Sequence, residues 1–199
     1  MKKKILQFLI VVLIVAGGGV SKAQFEKGDL LFNAGISFGH YGWYHHNWSH
    51  YDRVYFPALQ ASIEKGFNEY IGIGAFGGYH SYYYRYTHDH KYYHRFNYIT
   101  FGGVCSFHYS PFAEEVLEII LTDVDLYVSM ILRLEVENYT YAYYDGFGNY
   151  LKDTDSAIFP RIGPVIGGRL YISDNLAIFG EVSYGGNLGF MTVGGTIRF

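Results

Sequence analysis

The sequence is poor in cysteine, proline and charge. Its single cysteine excludes an intrachain disulfide framework and a CxxC metal site. Charged residues make up 17% of the chain, below the roughly 25% of a typical soluble domain. Leucine, alanine, glutamate and lysine, the usual helix formers, are scarce, and the net charge is −3. These shortages disfavour a helical bundle, a coiled coil and a basic nucleic-acid-binding protein.

The first 23 residues have the pattern of a signal peptide. Met1–Ala23 begins with Lys2–Lys4, continues through the apolar run Ile5–Ala16 and ends in small residues. The run is short for a membrane span, which needs ~20 apolar residues. We therefore expect cleavage after Ala23 and export of residues 24–199, with an uncleaved anchor as the alternative. No cysteine follows the cleavage point, so lipoprotein anchoring is not indicated.

The rest of the chain is rich in glycine (25), tyrosine (22) and phenylalanine (16), and its apolar residues follow a period of two. In the clearest segment one face carries Leu126, Val128, Met130, Leu132, Leu134 and Val136. Successive side chains of a strand point to opposite faces, so the pattern predicts strands with one oily and one polar face. Eight strands are predicted: Leu30–Gly39, Tyr55–Glu64, Tyr70–Tyr79, Tyr98–Tyr109, Leu126–Glu137, Arg161–Ile172, Leu176–Tyr184 and Phe190–Phe199.

The predicted connections differ at the two ends of the strands. One end has the short turns Lys65–Glu69 and Ser173–Asn175 and a predicted short amphipathic helix within Ser110–Thr122. The other end has three long polar segments: His40–Val54, His80–Arg95 and Asn138–Ser156. This asymmetry predicts an all-β fold, an eight-stranded antiparallel up-and-down transmembrane barrel with short periplasmic turns and long external loops. A soluble β-sandwich is the rival, but the polar faces hold few lysines and much Gly, Ser and Thr, which suits a confined interior.

The signal peptide, the eight alternating strands and the C-terminal segment Val193–Phe199 resemble small outer-membrane β-barrels of the OmpA-barrel and OmpX type. The resemblance covers the whole mature chain and carries no catalytic motif. It implies localisation in the outer membrane, a surround of lipid and lipopolysaccharide, and insertion by the barrel-assembly machinery, with Phe199 as the assembly signal. Pro164 departs from the pattern, because a proline within a barrel strand requires a bulge or an unpaired position.

Eight charged residues are expected to point into the barrel. Four arginines and four glutamates share the inward face: Glu64, Arg133, Glu135, Glu137, Arg161, Arg169, Glu181 and Arg198. An eight-stranded barrel has an interior just wide enough for side chains to fill, and buried charges must be paired. We therefore predict a lumen charge network that plugs the barrel. A gated ion path and a small-ligand site are the alternatives.

Eight of the 9 histidines lie in two of the predicted loops. The candidates for metal binding are His45, His46, His50, His88, His90 and His94. Neutral imidazole is a ligand for Zn, Cu or Ni, but no HExxH signature is present. The simpler interpretation is that the histidines are polar residues of aromatic-rich loop tips, and no cofactor is predicted.

The sequence favours a non-enzymatic function. The Tyr- and Trp-rich loops predict a contact surface for a protein or glycan partner, or a role in envelope integrity; no nucleic-acid partner is expected. The alternatives are a lipid A-modifying enzyme and a metal-capturing or small-solute uptake barrel. For an enzyme, His108 and Ser110 have a suggestive spacing, but no oriented base and third group can be assembled around them.

Overall fold

The computed structural model describes residues 25–38, 51–86, 93–117, 123–144, 147–185 and 189–199. Eight strands and one helix occur in these ranges, in the order β1 Leu30–Phe38, β2 Tyr51–Gly66, β3 Ile71–Tyr86, β4 Tyr93–His108, α1 Tyr109–Leu117, β5 Val124–Tyr144, β6 Tyr150–Ser173, β7 Leu176–Ser183 and β8 Met191–Arg198. Each strand pairs antiparallel with the next, and β8 pairs with β1, so the barrel is closed. The predicted all-β, eight-stranded up-and-down fold is confirmed. The predicted signal peptide lies outside the described residues.

The outer face of the barrel is apolar and the inner face is buried. On β5 the outward residues from Leu126 to Leu134 are 40–64% exposed, while the inward residues from Asp125 to Glu135 are buried. The same alternation runs round the barrel through Ile36, Ile63 and Ile178. Cys105 also lies on the outer face. So wide an exposed apolar surface needs a lipid solvent. Within the described ranges, no helix has the length and apolar character needed to cross a bilayer.

The strands differ greatly in length. β1, β7 and β8 have 8–9 residues, close to the ~9–11 that a tilted strand needs to cross a bilayer. β2 to β6 have 16–24 residues and continue beyond the ends of the short strands. Three segments predicted as loops, residues 40–54, 80–95 and 138–156, are therefore in part strand. The prediction was wrong there because polar and aromatic residues occupy both faces, so the oily stripe that marked the lower strands is missing.

A row of polar residues marks the upper limit of the apolar outer face. Ser81, Asn97, Asn138 and Ser156 are direct cross-strand partners on β3, β4, β5 and β6. Ser81 Oγ donates to Asn97 Oδ1 at 2.9 Å, and Ser156 Oγ donates to Asn138 Oδ1 at 2.8 Å. The next outward row is also polar, with Tyr83, Arg95, Thr140 and Thr154 in register. We call the part of β3 to β6 that begins at the first row the protruding sheet: Ser81–Tyr86, Tyr93–Asn97, Asn138–Tyr144 and Tyr150–Ser156.

Pro164 lies in β6 without a bulge, at the upper end of the β6–β7 ladder. It pairs with Met130 in an uninterrupted β5–β6 register, and its carbonyl accepts the Tyr184 N–H at 3.1 Å. The N–H and C=O of a strand residue point to the same neighbour, so the missing donor of Pro164 points towards the end of β7. The β6–β7 register begins at Val165, one residue below, so the proline removes a donor only at the end of this ladder.

The predicted helix is present as α1, between β4 and β5. The Ser110 hydroxyl accepts the backbone N–H of Leu126 at 2.8 Å, and Ala113 is buried. Both contacts fix the helix against the start of β5, at the end of the barrel that also carries the turn at 174–175.

Candidate functional site: barrel interior and protruding sheet

Four charged side chains form a closed ring at the lower end of the interior, the end nearest α1. His108 faces Asp125 through Nδ1 and Glu64 through Nε2, each at 3.0 Å. Arg169 donates to Asp125 at 2.8 Å and to Glu64 at 3.2 Å. All four side chains are at most 2% exposed. Acidic and basic groups therefore alternate round the ring. When the imidazole is doubly protonated, the two positive and two negative charges of the ring balance. We call this set the lower quartet.

Aromatic groups enclose the lower quartet. The Arg169 guanidinium lies 4.0 Å from the centre of the Tyr127 ring, a cation–π distance. Phe25, from the segment before β1, is 1% exposed and stacks on the His108 ring with centroids 3.5 Å apart. A side chain at position 72 would overlap the Glu64 carboxylate, so only glycine leaves room for the quartet there.

An apolar layer crosses the interior above the lower quartet. It consists of one inward residue from each of β2 to β6: Ala58, Phe76, Val104, Ile131 and Val165, each less than 9% exposed. The cavity between this layer and Arg169 has a volume of about 20 Å³. That volume holds about one water molecule.

A second charged group lies above the apolar layer. Arg161 donates to Glu135 at 3.1 Å, and Glu135 is fully buried although Arg161 is 39% exposed. Arg133 is 5% exposed on the same face. The interior is thus stratified into charged, apolar and charged layers.

The structure brings the predicted lumen residues together in separate groups. Glu64 and Arg169 belong to the lower quartet, and Arg133, Glu135, Glu137 and Arg161 lie above the apolar layer. Glu181 accepts from Tyr127 Oη at 2.8 Å and from Gln60 Nε2 at 3.2 Å. Arg198 lies 3.9 Å from Asp29, at the barrel end. Two quartet members, His108 and Asp125, are missing from the predicted lumen network. Asp125 has the same parity as the other inward residues of β5, and extending that strand by one residue would have found it.

The histidine candidates for metal binding give no described metal site. His45, His46, His50, His88 and His90 lie outside the described residues. His94 lies on β4, where its Nδ1 is hydrogen-bonded to the Tyr139 hydroxyl. In the described part of the chain no three His, Cys, Asp or Glu residues are grouped to hold a metal ion. His80, predicted in a loop, is a fully buried residue of β3.

His108 and Ser110 do not form a nucleophile–base pair. Both imidazole nitrogens of His108 face carboxylates, and the Ser110 hydroxyl accepts the Leu126 N–H. A serine nucleophile requires its base within hydrogen-bond reach, and the partners of His108 and Ser110 are other groups.

Aromatic rings cover the inner face of the protruding sheet. The rings in mutual contact on β3, β4 and β5 are Tyr82, Tyr84, His94, Phe96, Tyr139, Tyr141 and Tyr143. Along β5, Tyr139, Tyr141 and Tyr143 stack with centroids 5.7 and 5.4 Å apart. Tyr141 donates to Asp153 of β6 at 3.1 Å, and this carboxylate raises the pKa of the Tyr141 phenol. These contacts stiffen a sheet that stands beyond the apolar outer face.

The upper part of β6 is an edge that resists further strand pairing. In its upper part, residues 150–164, β6 pairs only with β5 among the described strands. The backbone N–H and C=O groups of its even-numbered residues point away from β5, as the Pro164 carbonyl does. Two of these N–H groups are already bonded: Thr154 N–H donates to the Asp153 carboxylate and Ser156 N–H to the Asp155 carboxylate, each at 2.8 Å. Pro160 has no N–H to offer. Capped donors and prolines are the devices that protect sheet edges from adding another strand.

The tip of the β5–β6 hairpin exposes large apolar side chains. Phe147 is 93% exposed, Tyr150 48% and Leu151 40%. Gly148, with φ +84°, forms the turn beside Phe147. Three large apolar side chains are thus exposed within five residues of this hairpin.

A closed ring of eight antiparallel strands, an apolar outer face and a polar filling define a small outer-membrane β-barrel. Searches of protein-family models and of curated proteins found no match. Among solved structures, the chain is similar to the N-terminal β-barrel domain of Pseudomonas aeruginosa OprF, with 14% identity over 88% of this chain and 100% of that chain (TM-score 0.45). It is also similar to Yersinia pestis Ail, the attachment invasion locus protein, with 12% identity over 87% of this chain and 99% of that chain (TM-score 0.48 with sucrose octasulfate, 0.46 without). The assignment to this class rests on the strand topology and side-chain distribution of the chain itself.

Proposed function

We propose that this protein is a non-conducting, non-enzymatic outer-membrane barrel that holds the protruding sheet outside the cell to bind a protein partner. The observation that carries the proposal is the exposed apolar tip of the β5–β6 hairpin, with Phe147 93% exposed. Export through the cleaved segment Met1–Ala23, a lipid and lipopolysaccharide surround, and recognition of Phe199 by the barrel-assembly machinery belong to the same proposal. Phe199 exchanges backbone hydrogen bonds with Leu30, at 2.9 and 3.3 Å, where the barrel closes.

The stratified interior supports a plugged barrel. An ion would have to pass the apolar layer of Phe76, Val104 and Ile131 and also displace the lower quartet. The cavity described between the two layers holds about one water, which favours a blocked interior. In planar bilayers, the purified protein is expected to give no steady open-channel current. A large, stable conductance from the wild-type protein would contradict the plugged interior.

A protein partner suits the hairpin better than a glycan or an added strand. The rings of the inner face stack on one another, so few ring faces are open to stack on a sugar. The β6 edge has its Thr154 and Ser156 donors capped, which disfavours strand addition. Exposed Phe, Tyr and Leu side chains, in contrast, are well suited to a desolvated contact at a protein interface.

Photo-crosslinking on intact cells tests the partner. A photoreactive phenylalanine at position 147 is expected to yield a discrete crosslinked protein species. The matched control is the same probe at position 154, an exposed polar site on the outer face of the same hairpin, which should give little or none. Equal crosslinking from both positions, or none from position 147, would refute a specific contact at the tip. The plugged interior would remain open to its own test.

A further inference from the structure

The helix α1 carries an apolar stripe that points away from the barrel interior. Residues three or four apart lie on one side of a helix, and Tyr109, Phe112 and Val116 have this spacing. Tyr109 is 36% exposed and Val116 is 56% exposed. The Tyr109 and Phe112 rings are in contact, with centroids 5.6 Å apart.

The side of α1 that packs against the barrel adjoins the stripe. Ser110 and Ala113 are each 1% exposed, and the Ser110 hydroxyl accepts the Leu126 N–H. These contacts fix the rotation of the helix about its axis. Tyr109, Phe112 and Val116 lie on the neighbouring side of the helix, and this packing leaves Tyr109 and Val116 exposed.

The stripe continues the lipid-facing surface of β4. Ile99, Phe101 and Phe107 lie on the outer face of β4 and are 44–50% exposed, and Tyr109 follows with the same parity. Phe107 also stacks with Tyr70, from the neighbouring β2–β3 turn, with centroids 6.3 Å apart. The Tyr70 hydroxyl in turn donates to Glu115 of α1. The apolar stripe of α1 and the apolar face of the barrel are thus one continuous surface.

We propose that α1 lies in the inner-leaflet interface of the outer membrane, with Tyr109, Phe112 and Val116 in contact with lipid. A short helix with one apolar side is suited to this position, with that side buried among headgroups and acyl chains. Tyrosine is favoured at such interfaces because its ring is apolar and its hydroxyl polar. The Glu115 carboxylate accepts from the Tyr70 hydroxyl, and such a polar pair suits the headgroup level of the membrane. The helix therefore extends the membrane contact below the ends of the strands.

Spin labels in lipid vesicles test this placement. The lone cysteine, Cys105, is first replaced by serine, and single cysteines are introduced for labelling. Val116→Cys reports on the stripe. Leu132→Cys, at a site 64% exposed on the outer face, is the lipid reference. Asp174→Cys, in the exposed turn between β6 and β7, is the water reference. Collision with oxygen, which concentrates in lipid, is compared with collision with a water-soluble nickel complex.

The ratio of oxygen to nickel collision at position 116 is expected to shift from the value at 174 towards the value at 132. A ratio at 116 equal to that at 174 would show a helix in water and would overturn the proposal. Protection of position 116 from both reagents would also overturn it, because the stripe would then be covered by protein. Because Val116 is exposed, its replacement should leave the barrel folded, and a closed-barrel gel shift for each labelled variant checks this.

A second variant separates lipid contact from folding. Val116→Asp places a charge in the stripe and leaves Ser110 and Ala113 unchanged. It should lower resistance to urea in vesicles and leave it unchanged in detergent micelles, which adapt to the charge. Equal loss in both media would indicate packing within the protein, and no loss in either would indicate exposure to water. Both results contradict the proposal.

Discussion

Replacing Arg169 by methionine removes the most connected cation of the lower quartet. Arg169 is 1% exposed and donates hydrogen bonds to Asp125 at 2.8 Å and to Glu64 at 3.2 Å. Methionine has similar length but no charge, so the apolar part of the packing is retained. Two buried carboxylates are then left to share His108 as their remaining basic partner, and the charge balance of the ring is lost.

The expected loss follows from burial. Breaking a buried ion pair by removing one partner costs about 3–5 kcal/mol, because an uncompensated charge stays buried. The cation–π contact with Tyr127, at 4.0 Å, contributes up to ~2 kcal/mol when desolvated, and part of it is replaced by methionine–aromatic contact. We therefore expect Arg169→Met to lower the free energy of unfolding by about 3–5 kcal/mol.

Urea titration at equilibrium in lipid vesicles, followed by fluorescence, measures this loss. Arg198→Met is the matched control, since Arg198 is 13% exposed and lies 3.9 Å from Asp29; its loss should be clearly smaller. Adding Asp125→Asn to Arg169→Met removes one surplus carboxylate charge and should recover part of the stability. If Arg169→Met cost no more than Arg198→Met, or if the second substitution gave no recovery, the quartet would not be the stabilising unit described here.

Three further substitutions test the interior by the same urea titration and the β6 edge by the mass of the solubilised particle. Gly72→Ala should push the Glu64 carboxylate out of the quartet and lower the free energy of unfolding by about 1–3 kcal/mol. Its control, Gly77→Ala, should be nearly neutral, because the new Cβ meets only the Thr100 carbonyl at 3.8 Å. Equal losses would show that position 72 has no special need for glycine. Phe76→Ala should cost about 3–5 kcal/mol by opening a cavity in the apolar layer, and a loss below 1 kcal/mol would mean that the layer is not packed. Asp153→Ala uncaps the Thr154 N–H at the β6 edge and should increase self-association in light scattering of detergent-solubilised protein; an unchanged mass would show that the cap does not protect the edge.

The sequence predicted the membrane-crossing part of the barrel well because lipid imposes a simple rule there. One face of each strand must be oily, and the opposite face fills a narrow interior. Leu126–Glu137 shows the rule most clearly, and the structure has β5 in that place. Strand number and order followed from this period-two signal, and α1 from the apolar residues within the connection Ser110–Thr122.

The protruding sheet was not predicted because water on both sides removes that rule. Segments such as Asn138–Tyr144 carry polar and aromatic residues on both faces, and such a pattern resembles a loop. Their strand structure depends on cross-strand partners far away in sequence, such as Tyr139 with Phe96. The predicted lumen network lacked two members of the lower quartet for a related reason. The quartet joins residues of β2, β4, β5 and β6, and a period of two gives the face of each residue but not its height in the barrel.

The unequal strand lengths connect the interior to the outer surface. β7 ends near Val165, a residue of the apolar layer, so the described strands form a closed ring only up to that level. Above it, β2 to β6 continue, and no described strand lies opposite them. The aromatic contacts of the inner face and the capped donors of β6 then perform the two tasks that a closed barrel performs elsewhere: they keep the sheet rigid and protect its edge. A rigid sheet below the β5–β6 tip lowers the entropy cost of the proposed partner binding, which favours affinity.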